Sequence, residues 1–427
     1  MTHACPEYLA LSRRGFLRVA GSTAALAAAA SAPAWLPRVA LAKDYRSGQR
    51  DVLVSVFLRG ASDGLSMCVP WGESAYYAAR PTLAVPRADS TDPNRAIDLD
   101  GFFGFPQALA PLIPAYQDGN LLVVHATGST DPSRSHFDAQ RYMEVGKAND
   151  ATLGTGWLGR HLQTTSPMLP GSTLRGVGIA TGLQKTLVGG PQTLPIPNLD
   201  TFGLTGSAGS RSDRLVAIGN LYDLVPDPLN ATAQNTIDTM ALLDQIDFVN
   251  YLPQSGAVYP TNSTGIAFRS AAALVRAQVG VEAIAIDVSG WDTHAAQGST
   301  TGFLNGLMNS LALSLAAFHR DLFSTTTPSV SVVVGSEFGR QLVENGTQGT
   351  DHGHGNCMFV MGHQIDGGRV LRDWPGLATN QLFEGRDLEV TIDYRDILAE
   401  IVQTRLGNAN LPAIFPGYTP TFRGVTL

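Results

Sequence analysis

The 427-residue chain is 44% hydrophobic and only 15% charged, so it can bury a large core and is not globally disordered. Its net charge of -7 and pI near 5.7 offer nucleic acid no basic surface. It has no G-X-Y period, sustained heptad or CxxC pair, which excludes collagen-like, coiled-coil and cysteine-zinc readings.

Residues 1–42 read as an export signal. Ser12-Arg13-Arg14-Gly15-Phe16-Leu17 precedes an Ala-rich apolar stretch from Val19 to Leu36, and Ala40-Leu41-Ala42 ends in small residues suited to cleavage. The paired arginines resemble a twin-arginine signal, so the twin-arginine export machinery is an expected partner and the periplasm or exterior the expected location. A membrane anchor is the competing reading, but an Ala-dominated stretch carrying Pro33 and Pro37 would span a bilayer poorly. The cleaved protein is therefore not expected to be integral to the membrane. Taking four arginines and one glutamate from 29 basic and 36 acidic side chains leaves 25 and 35, a net of -10. Cys68 and Cys357 would remain, and an oxidising compartment would allow them to pair, although two cysteines do not establish a bridge.

In the remaining 43–427, residues 51–58 read as a buried first strand, ending in the loop from Arg59 to Gly64. A helical pattern over 106–117 leads to a second strand at 120–126, and Ser135 or Asp131 would cap a helix running to about Val145. Further strands are predicted at 174–180, 282–288, 330–335 and 357–362, and helices at 266–279, 302–323 and 394–405. Apolar strands alternating with helices predict an α/β three-layer sandwich with a mostly parallel central sheet. Residues 184–264, rich in Thr, Ser, Gly, Asn and Pro with one helical stretch near 232–252, read as an inserted cap. Residues 324–328 (STTTP) read as a plain turn.

Function in such sheets gathers in loops at the strands' carboxyl ends. Four of the nine His lie in three polar loops beside predicted strands. They are Ser133 to Asp138 with His136, Gly290 to His294, and Asp351-His352-Gly353-His354-Gly355. Asp63-Gly64 and Ser336 to Arg340 add carboxylates. A mixed Asp/Glu/His set suits zinc, manganese or iron, whereas an all-oxygen set would suit calcium or magnesium. Each loop also has a bland reading. Asp63 could form a turn, Ser135 only a helix cap, Asp292 and His294 a surface pair, and Glu337 and Arg340 a local ion pair. The D-H-G-H-G loop points most directly to a metal or anion, because its glycines free two imidazoles to approach one point. His125, His161, His319 and His363 read as structural.

Taken together, Leu58-Arg59-Gly60 with Asp63-Gly64-Leu65, Ser135-His136-Phe137, Gly156 to Arg160, Gly290 to His294, Ser336 to Arg340, Thr350 to Gly355 and Thr391 to Arg395 resemble the DUF1501 family. These motifs run through nearly the whole of 43–427. The family resembles in turn the alkaline phosphatase and sulfatase superfamily, which implies an alkaline-phosphatase-like fold and metal-assisted attack on a phosphate or sulfate ester. By that resemblance Asp63 matches the first metal ligand, and the segment from Thr130 to Ser135 matches the nucleophile region. Thr130 stands where sulfatases carry the cysteine they oxidise, so Ser135 is the expected nucleophile. Ser336-Glu337-Phe338-Gly339 aligns with a superfamily S-D-H-G, which places Phe338 at a ligand imidazole, and the D-H-G-H-G loop then matches the last ligand His. A rival alignment equates Asp351-His352-Gly353 with D-H-G directly. The first preserves strand order, and it leaves the usual second metal in question.

The expected function is an exported, metal-dependent hydrolase-like protein acting on phosphate or sulfate esters. Ser135 would attack, with Arg134 or Arg340 holding the anion. Asp63, Asp292, His294, Glu337, Asp351, His352 and His354 would bind a divalent metal such as zinc or manganese. The alternative is a non-catalytic exported binding or assembly protein that keeps the fold. A redox protein is a weaker third reading, since no G-x-G-x-x-G follows the first strand and there is no CxxCH or cysteine cluster.

Overall fold

The computed structural model describes residues 50–204, 206–324 and 329–427. Residues 1–42, where an export signal is expected, and most of the 324–328 stretch expected to form a turn lie outside them. The strands are β1 (Val52–Arg59), β2 (Ile97–Asp98), β3 (Gly104–Phe105), β4 (Leu121–Gly128), β5 (Gly176–Ile179), β6 (Thr193–Pro195), β7 (Ala283–Ser289), β8 (Val330–Ser336), β9 (Asn356–Gly362), β10 (Arg369–Leu371) and β11 (Ile392–Asp393). Apart from the small β2–β3 pair they form one sheet in the order β10-β4-β9-β8-β1-β7-β5-β6, with β11 also on β4.

Every pairing in the main sheet is parallel except those of β9, which runs antiparallel to both β4 and β8. The carboxyl ends of β1, β4, β7 and β8 therefore share one edge. Because β9 is reversed, the loop that leads into it reaches the same edge.

Two-residue periodicity divides the strand side chains between two cores. Val54 and Val56 of β1, Ile284 and Ile286 of β7, and Val332 and Val334 of β8 face one core. Leu53, Ala283, Ala285 and Val333 face the other. The main long helices are α1 (His136–Val145), α2 (Trp157–Thr164), α3 (Arg211–Tyr222), α4 (Leu229–Leu243), α5 (Ser263–Ala277), α6 (Phe303–Leu322) and α7 (Tyr394–Thr404). Helices α5 and α6 pack on the first face, α2 and α7 on the second. On α6 the buried side chains Leu304, Met308, Leu311, Leu315, Phe318 and Leu322 recur at helical spacing and form one apolar stripe. Each stabilises the fold by about 1.5–3 kcal/mol relative to exposure. No described helix is long and apolar enough to cross a membrane.

Two expectations change. The helix predicted over 106–117 is a 3₁₀ turn over Gln107–Leu112 followed by a short α-helix over Ile113–Gln117. Pro111 and Pro114 remove backbone donors and break a continuous ladder there. In the 184–264 segment, α3 joins the predicted helical stretch, which ends at Leu243. The irregular chain beyond it is tied to α6 by Asp321, which accepts from the Tyr251 and Tyr259 hydroxyls and the Gln254 amide. Cys68 and Cys357 are buried free thiols.

Candidate metal centre

Five loops meet at the shared sheet edge. After β1 the chain turns at Gly60, whose φ of +114° suits glycine; a Cβ there would fall 2.7 Å from the Asp292 amide nitrogen. After β4, Ser135 caps α1 by accepting from the Asp138 amide at 3.5 Å, and His136 opens the helix. Asp292 and His294 follow β7. Glu337, Phe338 and Arg340 follow β8. His352 lies in the loop before β9, held by an isolated bridge to Arg340. A Cβ on Gly353 would sit 2.3 Å from the Arg340 carbonyl carbon, so that glycine permits a close backbone approach.

One ligand atom each from His136, Asp292 and His352 lie within 4.8 Å of one another. Asp292 Oδ1 is 3.2 Å from His352 Nε2 and 3.0 Å from His294 Nε2, and Asp292 Oδ2 is 3.5 Å from His136 Nε2. The His294 and His352 Nε2 atoms are 3.0 Å apart. His136 Nε2 is buried with no hydrogen-bond partner.

Each ring's other nitrogen meets an acceptor. His136 Nδ1 donates to Glu337 Oε1 at 2.7 Å, His294 Nδ1 to Asp351 Oδ1 at 2.9 Å, and His352 Nδ1 to the Arg134 carbonyl at 3.0 Å. A carboxylate or carbonyl oxygen can only accept, so a proton on Nδ1 satisfies each of these contacts, while the Nε2 atoms of His294 and His352 also face an acceptor, Asp292 Oδ1. In the Nδ1–H tautomer each Nε2 carries a lone pair, and that of His136 has no hydrogen-bond partner. Phe338 forms the floor, its ring centroid 5.1 Å from those of both His136 and His352.

Partial burial opposes ionisation of Asp292, but the hydrogen bond and charge of Arg340, with the adjacent His352 and His294, hold its carboxyl at about 2. The hydrogen bond that His136 donates to Glu337 raises the pKa of His136, and burial lowers that of His352.

The expected ligands divide. Asp292, His294 and His352 come together. Glu337 and Asp351 stand one step out, on the far nitrogens of His136 and His294. Asp63 lies outside the cluster, fully buried and bound on both oxygens by Arg80 at 2.6 and 3.0 Å, with Ser66 and Gln297 donating as well. His354 turns away to stack on Phe383 at 4.0 Å between centroids, and burial lowers its pKa to about 4. The two imidazoles of the D-H-G-H-G loop thus serve different places.

Of the residues expected to act on substrate, Ser135 is partly exposed at the α1 cap. Arg134 is engaged by Asp387, at 3.0 Å from Nε, and by Glu384. Arg340 is fully buried; it donates to the Ala61, Thr350, Gly60 and Trp291 carbonyls and to Asp292 Oδ1 at 2.7 Å. The local Glu337–Arg340 pairing gives way to Arg340–Asp292. His136 is absent from the ligands expected from sequence, although its loop stood among the three His-bearing loops. Its position directly after the cap residue was the signal.

A family model described as "Protein of unknown function (DUF1501)" matches residues 131–409. The chain belongs to the DUF1501 family. The DUF1501 match takes in His136, Asp292, His294, Glu337, Arg340 and His352, whereas Asp63 and Arg80 precede it. No curated protein matches the chain.

Proposed function

We propose that this chain is an exported, metal-dependent hydrolase of phosphate or sulfate esters, on a fold related to the alkaline phosphatases and sulfatases. The observation that carries the reading is the convergence of His136, Asp292 and His352 at the carboxyl edge of the sheet. The orphaned His136 nitrogen and the mixed nitrogen and oxygen donors fit a divalent transition metal. Such an ion supplies Lewis-acid polarisation of an ester oxygen and a lowered pKa for a hydroxyl or water. Ser135, next in sequence to His136 and at the amino end of α1, is the nucleophile in this reading, and the helix end favours an anionic substrate. Arg340 orients the Asp292 carboxylate, and Glu337 orients the His136 ring. The test is a panel of phosphate and sulfate esters with the mature protein. Hydrolysis should be abolished by chelator and by Asp292→Ala, and reduced at least a hundredfold by Ser135→Ala. No turnover on any ester with a metal-loaded site would overturn the reading.

The non-catalytic alternative has its own support. Arg134 and Arg340, which an ester anion would require, are already engaged by protein acceptors. An exported binding protein with this arrangement would hold metal and hydrolyse nothing in the same panel.

A further inference from the structure

We propose that the cluster is a mononuclear, nitrogen-rich site selective for a borderline divalent ion such as zinc over magnesium or calcium. In this site His136 and His352 Nε2 and Asp292 bind directly, His294 Nε2 adds a fourth donor, and Glu337, Asp351 and the Arg134 carbonyl set the ring tautomers. The proposal rests on the metal-dependent reading above and deepens it.

The argument is one of proton positions. With the ring protons on the three Nδ1 atoms, each of which meets an acceptor, three Nε2 lone pairs surround one carboxylate. Two bare nitrogens 3.0 Å apart repel each other unless a positive charge lies between them. A proton on His294 or His352 Nε2, shared between the rings or donated to Asp292 Oδ1, accounts for those contacts but leaves the buried His136 Nε2 without a hydrogen-bond partner. A cation accounts for all three nitrogens and the carboxylate together. Imidazole donors suit zinc and its neighbours, whereas magnesium and calcium require oxygen cages. The carboxylates on the far nitrogens hold each ring in its tautomer and raise its basicity.

The charge around the site argues for one ion rather than two. Asp63, the nearby buried carboxylate of the β1 loop, already carries the Arg80 guanidinium on both oxygens. Glu337 is fully occupied by His136, Gln140, the Gly60 amide and Ser336. Each carboxylate already accepts four protein hydrogen bonds, so a second ion would have to displace donors.

The test uses the mature protein stripped of metal and titrated with Zn²⁺, Mg²⁺ or Co²⁺ alone, read by calorimetry, elemental analysis and visible absorption. We expect one Zn²⁺ per chain, unaffected by millimolar Mg²⁺, and a Co²⁺ adduct with the strong visible bands of a non-octahedral, nitrogen-bound ion. His136→Ala or His352→Ala should weaken Zn²⁺ binding at least a hundredfold. Glu337→Gln and Asp351→Asn should weaken it roughly 10–100-fold while leaving the stoichiometry at one. Two ions per chain, preference for Mg²⁺, an octahedral Co²⁺ spectrum, or wild type without stoichiometric metal would each overturn the proposal, and none of these needs a variant that folds. Tight binding of one Zn²⁺ without ester hydrolysis would defeat only the hydrolase reading. Hydrolysis supported by Mg²⁺ alone would defeat only this one.

Discussion

Arg80 grips Asp63 with two guanidinium nitrogens, at 2.6 and 3.0 Å, and both side chains are fully buried. Burial alone would raise the Asp63 pKa, but the Arg80 charge and hydrogen bonds overcome it and lower that pKa. The pair ties the short helix Gly64–Met67 to the loop beyond β8, because Arg80 also donates to the Gln341 and Leu342 carbonyls.

Removing one partner of such a pair leaves a buried charge uncompensated. Arg80→Met should therefore destabilise the fold by about 3–5 kcal/mol, read as a lower urea midpoint. Arg80→Met with Asp63→Leu should recover much of that loss, since apolar replacement of both partners is often neutral. If the double variant is no more stable than the single, the destabilisation comes from the lost carbonyl contacts of Arg80 instead.

The acid limb of stability should begin near pH 6.5. His125 Nδ1 accepts from the Ala126 amide while Nε2 donates to the Cys68 carbonyl, so a second proton has no place on the ring. Burial pushes its pKa down to about 4 and that of His161 down to about 3. Above pH 6.5 both rings are neutral folded or unfolded and contribute no pH dependence. Between pH 6.5 and 4 the unfolded chain takes up protons that the folded chain refuses, so stability falls, by roughly 3 kcal/mol for His125. His136, whose pKa is raised, pulls the other way. Denaturation curves from pH 7 to pH 4 should show the net decline; a flat profile down to pH 4.5 would refute it.

Ser135→Ala separates folding from chemistry. The cap bond to the Asp138 amide is long, at 3.5 Å, so its loss should sit at the low end for a helix cap, about 0.5 kcal/mol. A hundredfold loss of ester hydrolysis corresponds to about 2.7 kcal/mol of transition-state stabilisation. Melting and rate measured on one preparation should diverge by that margin. Matching small losses in both would make Ser135 a cap alone.

Metal should also stabilise the fold. A ligand bound only by the native state, at a hundredfold excess over its Kd, adds roughly 2.7 kcal/mol. A chelator should therefore lower the melting temperature of the wild type and leave that of Asp292→Ala nearly unmoved. His354→Asn, which alters a ring stacked on Phe383 outside the cluster, should keep the chelator response.

Leu311, fully buried in the α6 stripe, tests the core itself. Leu311→Ala should destabilise by about 2–5 kcal/mol, with the spread set by how far the neighbours collapse into the cavity. A value under 1 kcal/mol, from the same urea titration, would mean that α6 is loosely packed.

Hydrophobic period alone located β1, β4, β7, β8 and β9 and helices α5, α6 and α7 to within a few residues, because a strand buried on both faces and an amphipathic helix each leave a local record. It also marked the His-bearing loops, since polar turns between apolar runs stand out. Which side chains meet was decided by tertiary structure. The antiparallel direction of β9 brings His352 to the carboxyl edge, and strand direction leaves little trace in a run that is apolar throughout. Glu337 and Arg340 are three residues apart, yet Glu337 turns to His136 and Arg340 to Asp292, because the β1 and β7 loops place unpaired carbonyls around the buried guanidinium. His352 and His354 share one short motif and part company because Phe338 floors one ring and Phe383 stacks on the other. A sequence names the donors, but hydrogen-bond partners brought from distant loops determine which nitrogen carries the proton and where its lone pair points.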